Sequence, residues 1–261
     1  MSLPASAEPK PTHWRPALVL GAATGVAAML VIPYATAVTG APMHTRGLPP
    51  AVVVALSGVQ STVLAFTLAW VGLRLGSTLD LDAPFVRAWT ERRPFPTGTH
   101  WARAALVGVI AGVAIVALDV LVFQRVSPKA GAAIRAAVQA HRAQRWQGAL
   151  ASFYGGIAEE VQLRLFLMTA FAWTISKLTR SKASAVFVAA NLAAALAFGA
   201  GHLPLAVKVL GSLTTAIVVR TIVLNALAGV AYGELYRRYR LEHAMVAHFC
   251  TDIVLHAVIG G

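Results

Sequence analysis

Long apolar stretches, separated by short polar and basic segments, dominate the chain. A helix needs about 20 predominantly apolar residues to cross a bilayer. Stretches near or above that length occupy residues 17–41, 50–73, 104–123, 147–175, 183–200, 209–232 and 241–259. The pattern predicts an all-α fold: a polytopic integral membrane bundle of about seven transmembrane helices, with six to eight as the range.

The same pattern divides the chain into three parts. Residues 1–16 form a polar, proline-rich tail, residues 17–146 hold the N-terminal transmembrane helices and basic loops, and residues 147–261 form a C-terminal transmembrane core. The apolar run after the tail lacks a small-residue cleavage site, so we expect a retained span. Residues 132–139, between two spans, could form an amphipathic helix along the membrane surface.

The fourth apolar stretch is too long for one straight crossing. It carries Gly155-Gly156 just before two glutamates. We therefore expect a break or re-entry at the glycines, which would place the glutamates near the start of a helix.

Composition supports the membrane assignment and limits the partners. The chain is 57% hydrophobic and 12% charged, with a mean hydropathy of +0.68, whereas soluble domains are about 25% charged. The net charge of +12 comes from basic residues spread over short loops, as expected beside an anionic leaflet. We expect the lipid bilayer, and not nucleic acid, as a partner. The single cysteine, Cys250, excludes a disulfide framework within one chain.

Ionisable residues are concentrated in the C-terminal spans, where each costs roughly 2.5–3.5 kcal/mol at the bilayer centre. They are Glu159, Glu160, Arg164, His202, Arg220, His248 and Asp252. A lone histidine in a span is commonly a satisfied core side chain, but several on consecutive helices favour a functional site. Asp119 and Arg220 are expected to make polar contacts within the bundle.

Helical spacing separates the roles of the two glutamates. Glu160 and Arg164 are four residues apart, with the acid on the N-terminal side, which favours an ion pair. Glu159 lies about 100° further round the helix. We therefore predict that Arg164 holds Glu160 and that Glu159 is free for chemistry.

Two further pairs have the same four-residue spacing. Phe198 shares a helical face with His202, and Pro204 follows as a helix terminator. His248 shares a face with Asp252, which could orient the imidazole or bind a ligand beside it. His256 continues that stripe.

These residues resemble the motifs of the CAAX protease and bacteriocin-processing family of intramembrane endopeptidases. The family motifs are EExxxR, FxxxH and HxxxN or HxxxD. The chain has EEVQLR at 159–164, FGAGH at 198–202 and HFCTD at 248–252, in the family's order. The resemblance implies an intramembrane, CAAX-prenyl-protease-like endopeptidase that cuts a membrane-associated or lipidated protein or peptide, in the inner membrane of a bacterial cell.

The resemblance also assigns roles, with Glu160 and Arg164 completing the first motif. It implies that Glu159 activates a water, that His202 positions or protonates, and that His248 with Asp252 stabilises the oxyanion. Asp252 stands where the family more commonly has Asn. An ionised Asp cannot donate a hydrogen bond, so Asp252 would be protonated, orient His248 or bind a metal.

A zinc enzyme stays open as an alternative, since Glu159, His202, His248 and Asp252 make an acceptable donor set. The chain lacks the HExxH, GxSG and GxGD motifs of other intramembrane proteases. Two further functional classes remain. One is a non-catalytic scaffold or immunity-type binding protein, which would not need an unpaired Glu159. The other is a transporter, for which the chain shows no inverted repeat.

Overall fold

The computed structural model describes residues 12–41, 43, 45 and 47–259 of the chain. Most of the predicted polar tail, residues 1–11, lies outside this range. Within the described residues all regular structure is helical and no strand is present. The predicted all-α class is confirmed.

Thirteen α-helical and four π-helical segments follow one another in the described part of the chain. The α-helices are α1 (Trp14–Leu30), α2 (Ile32–Thr39), α3 (Pro50–Gly76), α4 (Pro84–Glu91), α5 (Trp101–Leu118), α6 (Gln124–Val126), α7 (Pro128–Ala140), α8 (Arg145–Phe153), α9 (Thr169–Thr179), α10 (Ser184–Gly201), α11 (Leu203–Leu210), α12 (Thr215–Tyr239) and α13 (Leu241–Asp252). The π-helical segments are π1 (Asp119–Phe123), π2 (Tyr154–Glu159), π3 (Val161–Met168) and π4 (Ile253–Ile259).

Five helical segments of the described chain are long and apolar enough to cross a membrane. They are Trp14–Thr39, Pro50–Gly76, Trp101–Val126, Ser184–Leu210 and Thr215–Tyr239. The fourth and seventh apolar stretches are also helical, but they carry the charged and polar residues of the first and third motifs, namely Glu159, Glu160, Arg164, His248 and Asp252. The protein is therefore a polytopic helical membrane bundle.

The sixth span begins later than the sequence indicates. It was predicted over 209–232, whereas α12 runs from Thr215 to Tyr239. Gly211 ends α11 in the left-handed conformation, at φ 73°. The Thr214 hydroxyl then caps α12 by accepting a hydrogen bond from the Ile217 amide, at 3.3 Å.

The expected break at Gly155-Gly156 is wrong. The segments α8, π2, π3 and α9 form one uninterrupted helical run that also includes Glu160. The glycines instead permit close packing, because a Cβ on Gly155 would lie 2.0 Å from Asp252 Oδ2 and one on Gly156 would lie 2.9 Å from Phe249 Cβ. The two glutamates thus occur inside a long helical segment, at the π-helical turns that often mark functional positions.

Helix α13 occupies the centre of the bundle, where it packs against α5, α12 and π2. Close contacts at glycine join the N-terminal spans to the C-terminal core. A Cβ on Gly72 would lie 2.3 Å from Leu165 O, and one on Gly108 would lie 2.1 Å from Ala247 O. One hydrophobic core therefore draws on both parts of the chain.

Two polar contacts fasten segments at the edges of this core. Asp119 receives two hydrogen bonds from Arg220, at 2.6 and 2.9 Å, so the expected polar contacts of both residues are confirmed. Glu242 is buried, and its Oε1 accepts hydrogen bonds from the Phe85 and Val86 amides at 2.8 and 3.0 Å. That contact fixes the first turn of α4 to the start of α13.

The amphipathic segment expected around 132–139 is helical and forms most of α7. Gly131 of α7 is buried, and most of the other residues of this helix are exposed.

Candidate active site

Glu160 is the buried centre of the polar cluster, with no exposed surface. Its Oε1 accepts a hydrogen bond at 2.8 Å from His248 Nδ1. Its Oε2 lies 3.5 Å from the Nε of Arg164, which is also buried. The predicted pair of Glu160 and Arg164 is present, but Glu160 also holds the histidine of the third motif.

Arg164 is accommodated by the helix that faces it, α12, and by the phenylalanine of the second motif. Its Nη2 donates to the Gly229 carbonyl at 3.1 Å. The guanidinium carbon lies 5.1 Å from the ring centroid of Phe198 and 5.3 Å from that of Tyr232. These π faces and the carbonyl stabilise a cation that is out of contact with water.

Aromatic rings and carboxylates surround the imidazole of His248. Tyr232 stacks on it at 4.5 Å with an interplanar angle of 21°, and the edge of Phe198 approaches it at 5.6 Å. Its Nε2 lies 3.6 Å from Glu159 Oε2 and 3.6 Å from Asp252 Oδ1. One ring nitrogen is therefore engaged by Glu160, while the other faces two further carboxylates.

The two neighbouring glutamates differ in access. The Glu159 side chain is 22% exposed, whereas that of Glu160 is fully buried. Glu159 approaches His248 Nε2 at a distance longer than a hydrogen bond. Its carboxylate is the more open of the two.

The Phe198 ring lies beside both His202 and His248 and links the two histidines. The Phe198 ring is 4.7 Å from the His202 ring and 5.6 Å from the His248 ring, edge-on to both. His202 Nδ1 bonds the Phe198 carbonyl at 2.9 Å. Because a carbonyl only accepts, Nδ1 carries the proton, and Nε2 remains for another partner. Within the described residues no hydrogen bond or ion pair joins His202 directly to Glu159.

The zinc set predicted as an alternative is only partly assembled. Glu159 and Asp252 meet at His248 Nε2, and His202 stands apart behind Phe198. In the part of the chain that is described, no group of three or more His, Cys, Asp or Glu side chains has an arrangement that could hold a metal ion. The set does not fit as it stands and remains a prediction.

Sequence reasoning missed two contacts of this cluster. It did not foresee that Glu160 makes the hydrogen bond to His248 Nδ1, a role considered for Asp252. It also missed Tyr232, whose ring covers both His248 and Arg164. Tyr232 follows Gly229 by three residues on α12, so both face the same side of that helix, but the contact of Gly229 with Arg164 is visible only in the structure, and the sequence alone offers no signal for Tyr232.

Comparison with known proteins identifies a family for the segment that carries these residues. A family model described as "Type II CAAX prenyl endopeptidase Rce1-like" matches residues 141–254, a segment that includes all three motifs. No curated protein and no solved structure gives a match. The resemblance predicted from the motifs is confirmed, and residues 141–254 of this integral membrane protein match the Rce1-like type II CAAX prenyl endopeptidase family.

Proposed function

We propose that the protein is an intramembrane endopeptidase in which Glu159 activates the water that hydrolyses a peptide bond. The observation that carries this proposal is the contrast between adjacent acids. Glu160 is buried and engaged by His248 and Arg164, while Glu159 is partly exposed beside His248 Nε2. A general base must reach its water, and this difference in exposure favours Glu159 over Glu160 for that role.

The reaction can be written on the chain's own residues. Glu159 accepts a proton from water, and the oxygen of that water attacks the scissile carbonyl carbon. The carbonyl π electrons move to oxygen and form a tetrahedral oxyanion. On its collapse the C–N bond breaks, and the proton held by Glu159 passes to the leaving nitrogen. To His202 we assign the role that the resemblance implies, positioning the water or helping to protonate the leaving nitrogen; its Nδ1 bonds the Phe198 carbonyl, which leaves Nε2 for that role.

We assign the stabilisation of the oxyanion to His248. As an imidazolium it donates from both ring nitrogens, so Nδ1–H can bond Glu160 while Nε2–H, which lies 3.6 Å from Glu159 Oε2 and from Asp252 Oδ1, would donate to a carbonyl oxygen bound beside those acids. The carboxylates of Glu159, Glu160 and Asp252 surround the ring and balance such a charge. Asp252 then acts through His248, a role that does not require a protonated carboxyl.

The membrane setting and the family description support a choice of substrate class. The motif residues lie on helices of a membrane bundle, and the matching family is one of type II CAAX prenyl endopeptidases. We propose a lipidated or otherwise membrane-associated protein or peptide as substrate.

The test uses the full chain in liposomes and a peptide with a prenylated cysteine followed by three residues. Product masses identify the bond that is cut. Glu159→Gln should lower kcat by about 10²–10⁴-fold, the usual contribution of a general base. Asp80→Asn, at an acid whose side chain is 89% exposed, is the matched control and should cleave like the wild type.

Cleavage by Glu159→Gln at the wild-type rate would contradict the proposal. If neither the wild type nor Glu159→Gln cleaves the peptide and both bind it, a non-catalytic binding protein becomes the better account.

A further inference from the structure

A second histidine, His256, lies close to the Asp252 carboxylate of the third motif. Asp252 Oδ1 lies 3.6 Å from His248 Nε2 and 3.8 Å from His256 Nε2. His256 belongs to π4, which continues α13 without a break. The Asp252 side chain, 12% exposed, is thus placed between two imidazoles.

His256 has a definite partner on its other nitrogen. The Tyr34 hydroxyl lies 2.8 Å from His256 Nδ1, and the two ring centroids are 5.0 Å apart. Tyr34 comes from α2, at the end of the first membrane span, and lies outside the segment that the family model matches. The N-terminal part of the chain therefore reaches the polar cluster through one hydroxyl.

The backbone of His256 packs closely against a neighbouring helix. A Cβ on Gly148 of α8 would lie 2.1 Å from the His256 carbonyl oxygen. Helix α2 also packs against α8. The backbone of His256 is therefore held against α8, the same helix on which α2, the helix of Tyr34, packs.

The partners on the two ring nitrogens favour one tautomer of His256. A carboxylate can only accept, so a proton on Nε2 is favoured by the facing Asp252 Oδ1. Nδ1 then accepts a hydrogen bond from the Tyr34 hydroxyl. In this arrangement Asp252 selects the tautomer, the Tyr34 hydroxyl holds the ring by donating to Nδ1, and His256 directs its Nε2–H toward the acid of the third motif.

We propose that Tyr34 and His256 are positioning residues of the active site, which fix the Asp252 carboxylate against His248. This inference rests on the proposed function, because it concerns the geometry of the same catalytic cluster. It makes the first membrane span part of the active site.

The test compares cleavage of the prenylated peptide by full-length variants in liposomes. Tyr34→Phe removes only the hydroxyl and should lower kcat about 3- to 10-fold, as loss of one hydrogen bond implies, with KM unchanged. Thr36→Val removes a hydroxyl from the same helix that bonds only local carbonyls, and it should match the wild type.

A double-mutant cycle separates positioning from a merely structural role. His256→Leu should lower kcat further, and adding Tyr34→Phe to it should change nothing more, because the hydroxyl acts through the ring. His256→Gln, which keeps a donor and an acceptor, should recover part of the lost rate.

A Tyr34→Phe protein that matches Thr36→Val, or effects of Tyr34→Phe and His256→Leu that multiply, would overturn the inference. Glu159→Gln serves as the reference in the same assay. If it is inactive while Tyr34→Phe is normal, only the positioning role fails. If it cleaves normally, the proposed function fails and takes the positioning role with it.

Discussion

Gly155 is the position where the packing of the site can be tested most sharply. A Cβ there would lie 2.0 Å from Asp252 Oδ2 and 3.0 Å from His248 Nε2. Asp252 is a short side chain enclosed by His248 and His256, so it has little room to turn away. Gly155→Ala must therefore displace the third motif or separate the two helical segments.

The magnitude follows from that overlap. Forcing an added methyl group into a packed interface costs about 1–3 kcal/mol. Misplacing a catalytic group by about 1 Å can lower the rate roughly 100-fold. We expect Gly155→Ala to unfold at a lower temperature than the wild type and to lose about 100-fold in kcat.

Gly201→Ala is the matched control for this substitution. Gly201 also lies in a helix, but a Cβ on it would meet nothing within 4 Å. Because Gly201 is the last residue of α10, alanine there should be neutral or stabilise by less than the roughly 0.5–1 kcal/mol that helix propensity gives in a helix interior.

The assay measures thermal unfolding in one detergent and peptide cleavage in liposomes for both variants. If Gly155→Ala is as stable and as active as Gly201→Ala, the close approach of π2 to the third motif is refuted.

Three further results are expected. Asp119→Asn should destabilise the fold by about 1–3 kcal/mol, because it leaves Arg220 without its anionic partner. The double variant Asp119→Leu with Arg220→Met should recover most of that loss in the same unfolding assay. Glu242→Ala should destabilise by about 1–3 kcal/mol, since the Phe85 and Val86 amides lose their acceptor, whereas Glu242→Gln keeps an oxygen there and should unfold close to the wild-type temperature. Cleavage should persist in 1,10-phenanthroline because the described acids and histidines do not converge on a metal site, and loss of cleavage that zinc restores would instead support the zinc set.

The class of fold could be predicted from the sequence because it depends mainly on the local pattern of apolar residues. Apolar runs of membrane-crossing length predict helices directly, and five of the predicted stretches satisfy both length and composition. Four-residue spacing was equally sufficient for the pair of Glu160 and Arg164, which lies within one helical segment.

Contacts between distant segments could not be predicted in the same way. Gly155-Gly156 reads as a helix break in isolation, and only the packing of π2 against α13 shows that the glycines make room for Asp252. The bond from Glu160 to His248 and the stack of Tyr232 on His248 join residues far apart in the chain. Such pairings depend on how the helices assemble, and a single sequence carries no direct information on that.

The central claim is that Glu159 carries the chemistry and Glu160 holds the site together. The most direct test measures turnover per folded molecule and thermal unfolding for Glu159→Gln and Glu160→Gln side by side. We expect Glu159→Gln to unfold like the wild type and to lose cleavage. Glu160→Gln should lose about 3–5 kcal/mol of stability, because Arg164 keeps a buried charge without its partner. A stable Glu160→Gln protein that does not cleave, beside a Glu159→Gln protein that does, would contradict the account and reverse the two roles.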